Sequence, residues 1–397
     1  MSPALFTVGV TGTNGKTSTT RWTAACLGRL ARPVAQTTTL GSFLDDEPFA
    51  CTRDGDGFLA TMNAAAERGG RFAAIELTSE ALARGFARSW PCRVGVFTNL
   101  SHDHLDAHGS PEHYLASKAQ LFLSLPEGGA AVLNACDGAC ALLAEVVPAG
   151  VRIVRYGVPS RGEAHADPEI LATSVEPSWS GTRIGVRVRG FGADVVATEL
   201  RIRAIGDVYA ENALAALGGA LVSGVPLADA TSALSAAPIP RGRFEPVAHD
   251  GPGPHVVVDY AHTPDALART LATARTLCRG TLVAVFGAGG DRDVAKRGPM
   301  GAASSSADRV VLTNDNPRSE EPSRIADAIR AGIAPGTDVR VILDRREAIR
   351  AAVLGAGDDD VILLAGKGHE TEPFDDAAEA LAALRERSGA SSPSSST

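Results

Sequence analysis

Gly12-Thr13-Asn14-Gly15-Lys16-Thr17 stands between an apolar run, Phe6 to Val10, and a run of helical character, Ser18 to Leu30. Strand, glycine loop, Lys-Thr and helix, in that order, build a phosphate cradle. The glycines let backbone N–H groups approach a triphosphate, and the helix N-terminus adds its partial positive charge. Lys16 can reach the β- and γ-phosphates, and the Thr17 hydroxyl can ligate Mg²⁺. Gly12, Thr13, Asn14, Gly15, Lys16, Thr17 and Ser18 are therefore read as nucleotide-binding. The loop departs from the common pattern at one place, where Val10 stands for a glycine.

A chain of 397 residues is long enough for two or three domains, each with its own core. Its 44% hydrophobic and 21% charged residues are ordinary for a globular protein. A net charge of −8 offers no electrostatic case for binding nucleic acid or an anionic membrane surface. No apolar run reaches transmembrane length, and no signal peptide precedes the first strand. The six cysteines are scattered without ligand-like spacing, which fits a reduced, cytoplasmic compartment. The Ser-rich tail, residues 389–397, is expected to be disordered.

Short apolar strands alternate with helical runs early in the chain: Phe72 to Ile75, Val94 to Phe97 and Ala130 to Leu133. That alternation predicts a parallel α/β sheet. Period-two alternation in Arg183 to Arg189 and Glu199 to Ile202 predicts antiparallel strands that decorate the domain. Helix returns at Glu211 to Val222, and the Pro/Gly-bearing stretch Ala236 to Arg243 marks a border. The first domain is thus placed at residues 1–240 and the second at 241–388.

The second domain has strands at His255 to Val258, Thr281 to Phe286, Arg309 to Leu312, Val339 to Leu343 and Val361 to Leu364. Helices intervene at Pro264 to Leu277 and Ser323 to Ala331. This predicts a doubly wound, Rossmann-like sheet. Polar clusters follow its strands: Asp259-Tyr260-Ala261-His262, Gly289 to Asp293, Asp315-Asn316-Pro317-Arg318 and Gly366 to Glu370. Open α/β sheets bind ligands beyond the carboxyl ends of their strands, so these clusters read as one binding edge.

Glu76 follows one strand, and the run from Thr98 to Asp106 follows the next. Hard oxygen ligands suit the Mg²⁺ that a triphosphate requires. Glu76 and His104 can therefore sit opposite the Lys16 loop and hold a metal. Lys118 lies on a helix opened by the Ser110 cap and Pro111. Tyr114, Leu115, Leu121 and Phe122 flank it at three- and four-residue spacing, which turns it towards the apolar face. Burial disfavours the ammonium form, and a neutral amine reacts with CO₂ to give an anionic carbamate that can ligate a metal. The bland alternative is a lysine whose stem is buried and whose head reaches water.

The order of these motifs resembles the Mur ligases, specifically the branch that adds the third residue of the peptidoglycan stem peptide. The resemblance is carried by Gly12 to Thr17, Thr98-Asn99-Leu100, His104-Leu105-Asp106, Lys118 and Asn212 in Glu211-Asn212-Ala213-Leu214. Arg243 in Gly-Arg-Phe-Glu, Asp259 to His262, Gly290 to Asp293, Asp315 to Arg318 and Gly366 to Glu370 match as well. It implies a P-loop central domain followed by a Rossmann-like one, and an ATP-dependent amide ligase that works through an acyl phosphate with Mg²⁺. It implies catalytic roles for Lys16, Lys118, His104 and Glu76, with Thr17, Glu76, His104 and a carbamylated Lys118 at the metals. Asn212, Arg243, Asp259 and His262 would bind ATP. Arg292, Asp315, Asn316, Arg318, Gly366 and Glu370 would bind an acceptor resembling diaminopimelate.

The departures all concern the donor. Relatives carry a further domain before the phosphate loop, which holds the UDP end of the donor; here the loop begins at Gly12, and the chain is read as lacking that domain. The relatives' Asn-Thr-Thr loop is replaced near Thr52 to Asp56. Glu80 stands where a histidine is common, and Phe86 where an arginine is usual, with Arg84 and Arg88 nearby. The expectation is a conserved reaction on small molecules with a donor other than the standard UDP-muropeptide. Two alternatives stay open: a muropeptide ligase whose UDP-binding domain comes from a partner chain, and a non-catalytic paralogue that binds ATP.

Overall fold

Val8, Val10, Val94, Val96, Ala131 and Leu133 are fully buried, as strands covered on both faces of a parallel sheet must be. The structure, a computed structural model, describes residues 5–101, 110–192, 194–239, 241–291, 294–368 and 374–390. It divides into two units, Met1–Glu176 with Ser180–Pro238, and Pro177–Trp179 with Ile239–Thr397.

The first unit is built on a sheet of eleven described strands. Its parallel centre runs Arg152–Gly157, Ala130–Asn134, Val94–Phe97, Phe6–Thr11, Phe72–Glu76 and Val34–Thr38. The antiparallel pair Gly181–Val188 and Val196–Ile202 belongs to the same sheet, reached through Ile170–Ser178. On the other side Val34–Thr38 turns into a hairpin with Gly41–Leu44. The period-two reading missed that hairpin, because its threonines and glycine leave no clear apolar alternation.

Two strand glycines set the position of the helix Pro111–Leu123. A Cβ at Gly9 would lie 2.7 Å from Cys92 Sγ, 2.9 Å from Leu77 Cδ1 and 3.2 Å from Leu121 Cδ1, and one at Gly95 would lie 3.1 Å from Phe122 Cε1. Without them the helix would stand further off the sheet. Its start follows the sequence reading: the Ser110 side chain accepts from the His113 N–H, and Pro111 occupies the first turn. The helix Asp207–Val222 is apolar nearly all round and buried along most of its length, the pattern of a helix with no solvent face.

The second unit has six described strands in the order Glu245–Pro246, His255–Asp259, Val361–Ala365, Leu282–Phe286, Arg309–Leu312 and Asp338–Val341. All pairings are parallel except that of Glu245–Pro246 with its neighbour. Parallel strands share one carboxyl edge, so the polar clusters after residues 259, 286, 312 and 365 emerge on the same side. The final helix Asp376–Ala390 runs two residues into the segment read as the tail.

Candidate active site

The phosphate loop follows the strand Phe6–Thr11 and opens the helix Lys16–Leu27. Gly12 and Gly15 have φ of +149° and +81°, conformations that glycine adopts without strain. A Cβ at Gly12 would collide with Thr98 Oγ1, and one at Gly15 with Asn212 Oδ1. The loop is held from the end of a neighbouring strand. Thr98 Oγ1 donates to Asn14 O at 2.6 Å, Asn99 Oδ1 accepts from Asn14 N at 3.0 Å, and Thr13 N donates to Asn99 O at 2.7 Å. Lys16 Nζ donates to Gly12 O and Thr13 O at 3.1 and 2.8 Å, and Ser18 is buried in the first helical turn.

Thr17 Oγ1 donates to Glu76 Oε2 at 2.8 Å. The backbone N–H of Thr39, just past the strand Val34–Thr38, donates to the same carboxylate oxygen at 3.2 Å. Two predicted metal-site residues thus meet, and Thr39 joins them unforeseen. Its threonine run carries no signal that would separate it from an ordinary strand end.

Lys118 is 1% exposed. Its Nζ donates to Gly12 O at 2.8 Å and stands 4.1 Å from the centre of the Tyr114 ring. The Tyr114 hydroxyl is 3.3 Å from Thr13 Oγ1. The amine is buried against the phosphate loop rather than carried out to water, which decides between the two readings of this lysine's position.

Asn134 and Glu211 sit beneath that loop. Asn134 Nδ2 donates to Thr98 O at 2.7 Å and to Glu211 Oε1 at 2.9 Å. Glu211 lies 3.6 Å from Arg161. Burial pushes its carboxyl above the usual range, against the pull of Arg161. Asn212 is 2% exposed, and its Oδ1 has no hydrogen-bond partner among the described residues.

Within the second unit, Asp259 is buried and anchors two loop ends. Its Oδ2 accepts from Phe244 N at 2.6 Å and its Oδ1 from Ala261 N at 2.8 Å. Burial raises its carboxyl, and Arg243 opposes that rise. The Arg243 guanidinium lies 4.7 Å from the Tyr260 ring centre, and His262 Nδ1 is 2.9 Å from Tyr260 O. The three residues read as nucleotide-binding are therefore neighbours.

The expected acceptor residues also gather. Arg318 Nη1 donates to Gly290 O at 3.0 Å, and Asn316 O accepts from Gly290 N at 2.8 Å. Asp315 faces Lys367 Nζ at 3.8 Å, close to Gly366. These two line a cavity with Asn314, Arg345, Arg346 and Phe374. Arg345 holds the cavity floor through Asp376 at 2.6 Å, Asn314 O at 3.2 Å and Ala365 O at 3.0 Å. Lys367 had no assigned role in the sequence reading, since its partner lies on another strand. Asp291 and Arg318 have φ of +49° and +50°, left-handed positions that cost on the order of 1–3 kcal/mol each and concentrate at ligand clamps.

His104, Arg292 and Glu370 lie outside the described residues, as do His102, Asp103, Asp106, His108, Asp293 and His369. Among the described residues no three His, Cys, Asp or Glu side chains form a metal-holding group. No described helix is long and apolar enough to cross a membrane.

The donor-side departures have local structures. Asp54 caps the helix Gly55–Glu67, accepting from Gly57 N at 3.0 Å, and Thr78 caps the helix Ser79–Ala83. Phe86 packs edge-on to Phe58 at 5.2 Å, and Phe58 meets Trp90 at 4.9 Å. An aromatic cluster therefore occupies the position where the resemblance expects an arginine.

Comparison with known proteins agrees with this architecture. The Mur ligase middle domain matches residues 10–220, and the Mur ligase glutamate ligase domain matches residues 242–368. A UDP-N-acetylmuramoyl-L-alanyl-D-glutamate--2,6-diaminopimelate ligase of Thermosynechococcus vestitus is 40% identical over 406 residues, covering 97% of this chain and 78% of its own length. The enzyme of that name from Alkalilimnicola ehrlichii is 41% identical over 402 residues, covering 98% and 78%. A solved structure of a ligase of the same name has a TM-score of 0.70 at 31% identity, over 98% of this chain and 80% of that one. Folylpolyglutamate synthase of Mycobacterium tuberculosis shares the fold, with a TM-score of 0.71 at 21% identity over 96% and 90% of the two chains. The chain belongs to the Mur ligase family and is an ATP-dependent ligase of the Mur type.

Proposed function

We propose that this chain uses ATP to activate a carboxylate donor and passes the acyl group to the amine of a diaminopimelate-like amino acid. A donor oxygen attacks the γ-phosphorus, the bond to the β-phosphate oxygen breaks, and ADP leaves. The amine then attacks the acyl carbon, phosphate departs, and a proton is lost. Such transfers depend on charge neutralisation and positioning. The observation that carries the reading is Lys118 Nζ buried 2.8 Å from Gly12 O, in the loop that also supplies Lys16 and Thr17.

The Gly12 to Ser18 amides and Lys16 bind the phosphates in this reading. The Thr17 hydroxyl and Glu76 carboxylate, 2.8 Å apart, form the hard-oxygen set that suits Mg²⁺. By resemblance His104 and a carbamylated Lys118 complete the metal groups; Mg²⁺ when bound neutralises charge on the transferred phosphoryl group. By resemblance Asn212 serves the nucleotide; its buried Oδ1 lies against Gly15 of the phosphate loop. By resemblance Arg243, Asp259 and His262, neighbours within the second unit, keep their reading as nucleotide-binding residues.

Arg318 offers a fork for a carboxylate, and Asp315 offers negative charge to an ammonium. Asn316 O accepts from Gly290 N and Gly366 lies close to Asp315; by resemblance these two serve the acceptor with Arg292 and Glu370. The named activity of the two diaminopimelate ligases reported above supports a diaminopimelate-like acceptor. The aromatic cluster at Phe86 supports a donor other than the standard UDP-muropeptide, because position 86 itself carries no charge, with Arg84 and Arg88 two residues away on either side.

The test is a donor and amine screen read by mass spectrometry of the product. Phosphate release from ATP should require both a carboxylate and an amino acid. Release that needs neither substrate refutes the ligase reading of this site.

A further inference from the structure

Glu320 and Arg297 lie outside every role assigned above, yet they lock the two loops that carry the acceptor residues. Arg297 is 4% exposed. Its Nη2 and Nη1 reach Glu320 Oε1 and Oε2 at 2.7 and 2.9 Å, a bidentate pair with fixed geometry. Glu320 Oε1 also accepts from Asp291 N at 2.6 Å. Asp291 returns the contact by accepting from Ser319 N at 3.0 Å and from Ser319 Oγ at 2.8 Å. Gly290 lies so close to the opposite loop that a Cβ there would collide with Pro317 O.

The loop after Phe286 and the loop after Leu312 are thereby stitched together from both sides. Each carries a left-handed non-glycine residue, Asp291 in one and Arg318 in the other. Such conformations persist only where surrounding bonds over-determine them. The Arg318 guanidinium is itself tied to Gly290 O, so its direction depends on the register of the two loops.

We infer that Glu320, clamped by Arg297, is a positioning residue for acceptor recognition: it holds the Asp291 and Arg318 loops in the one register that aims the Arg318 fork at an acceptor carboxylate. The inference rests on the acceptor reading given under Proposed function. A buried bidentate arginine sets the loop geometry. No nucleotide residue named above belongs to these two loops, and the bond from Lys296 Nζ to His262 O, at 3.0 Å, does not pass through Glu320.

The test titrates the full chain with meso-diaminopimelate in the presence of ADP and Mg²⁺, and separately with ADP. Arg318→Ala reports on the acceptor reading, Glu320→Gln on the clamp, and Arg297→Lys is a milder variant that keeps the charge. Glu320→Gln should weaken diaminopimelate binding about tenfold or more, the scale of a misplaced positioning group. Arg297→Lys should fall between it and the unaltered chain. ADP binding should stay unchanged in both, while the melting temperature falls in Glu320→Gln because the buried Arg297 guanidinium loses its charged partner. Weakening by Arg318→Ala without weakening by Glu320→Gln overturns the clamp and leaves the acceptor reading standing. Equal loss of diaminopimelate and ADP binding makes Glu320 merely structural and also overturns it. No effect of Arg318→Ala, or no binding by the unaltered chain, removes the acceptor reading itself and the inference with it.

Discussion

Thr17 Oγ1 donates to Glu76 Oε2 across 2.8 Å, joining residues 59 apart in sequence at the mouth of the phosphate loop. A hydroxyl and a carboxylate in contact there make one oxygen cluster that offers hard ligands and a negative charge to a divalent cation. Glu76→Gln keeps the shape and removes that charge. Phosphate release should fall by roughly 10²–10³-fold and need more Mg²⁺ to reach half its maximum. Titrating Mg²⁺ against phosphate release checks this, and an unchanged requirement would exclude Glu76 from the metal.

Lys118 should be needed through its modified amine. Lys118→Ala should lose phosphate release and recover part of it when a short free carboxylic acid is supplied. Lys118→Met should stay inactive under the same addition, because its side chain fills the space the acid must enter. Removing dissolved CO₂ and bicarbonate should lower the rate of the unaltered chain only. ATP turnover indifferent to position 118 would end the carbamate proposal.

Gly15→Ala places a Cβ on Asn212 Oδ1 at a φ of +81°. It should weaken ADP binding and cost about 1–3 kcal/mol of stability. Gly55→Ala is the contrast: nothing lies within 4 Å of its Cβ position, and the change should stay within about 0.5 kcal/mol. Urea denaturation of the two variants side by side measures the difference.

Glu211 should give stability a pH dependence of known sign. Burial raises its carboxyl above the ordinary 4.5 in the folded chain, so the folded state holds that proton more tightly than the unfolded state does. The stability of the native chain therefore declines as pH rises from that ordinary value through the raised one. Glu211→Gln lacks this term. Its stability relative to the native chain should increase with pH over that window, whatever the constant cost of leaving Arg161 with Asp207 alone. Urea midpoints of both proteins from about pH 4.5 to about pH 8 check it; a flat difference would mean that the folded carboxyl titrates as it does in the unfolded chain.

Local signals were legible in the chain because local physics writes them. The phosphate loop needs glycines at fixed backbone angles, so its place between the strand Phe6–Thr11 and the helix Lys16–Leu27 shows in six residues. The helix Pro264–Leu277 was legible over its whole length, and Thr263 caps it by accepting from Ala266 N. The burial of Lys118 followed from the spacing of its apolar neighbours. The hairpin of Val34–Thr38 with Gly41–Leu44 was not legible, since pairing rather than pattern makes it.

What only the tertiary structure decided was the company these residues keep. Thr39 meets Glu76 from 37 residues away, Arg345 grips Asp376 from 31, and Lys367 faces Asp315 from a separate strand. The chain alone determined which chemical groups exist and which segments are strand or helix, because dihedral preference and side-chain period act over a few residues. Which groups share a hydrogen bond depends on strand order and on the close approaches allowed at Gly9 and Gly95, and those are set by the burial of whole sheets.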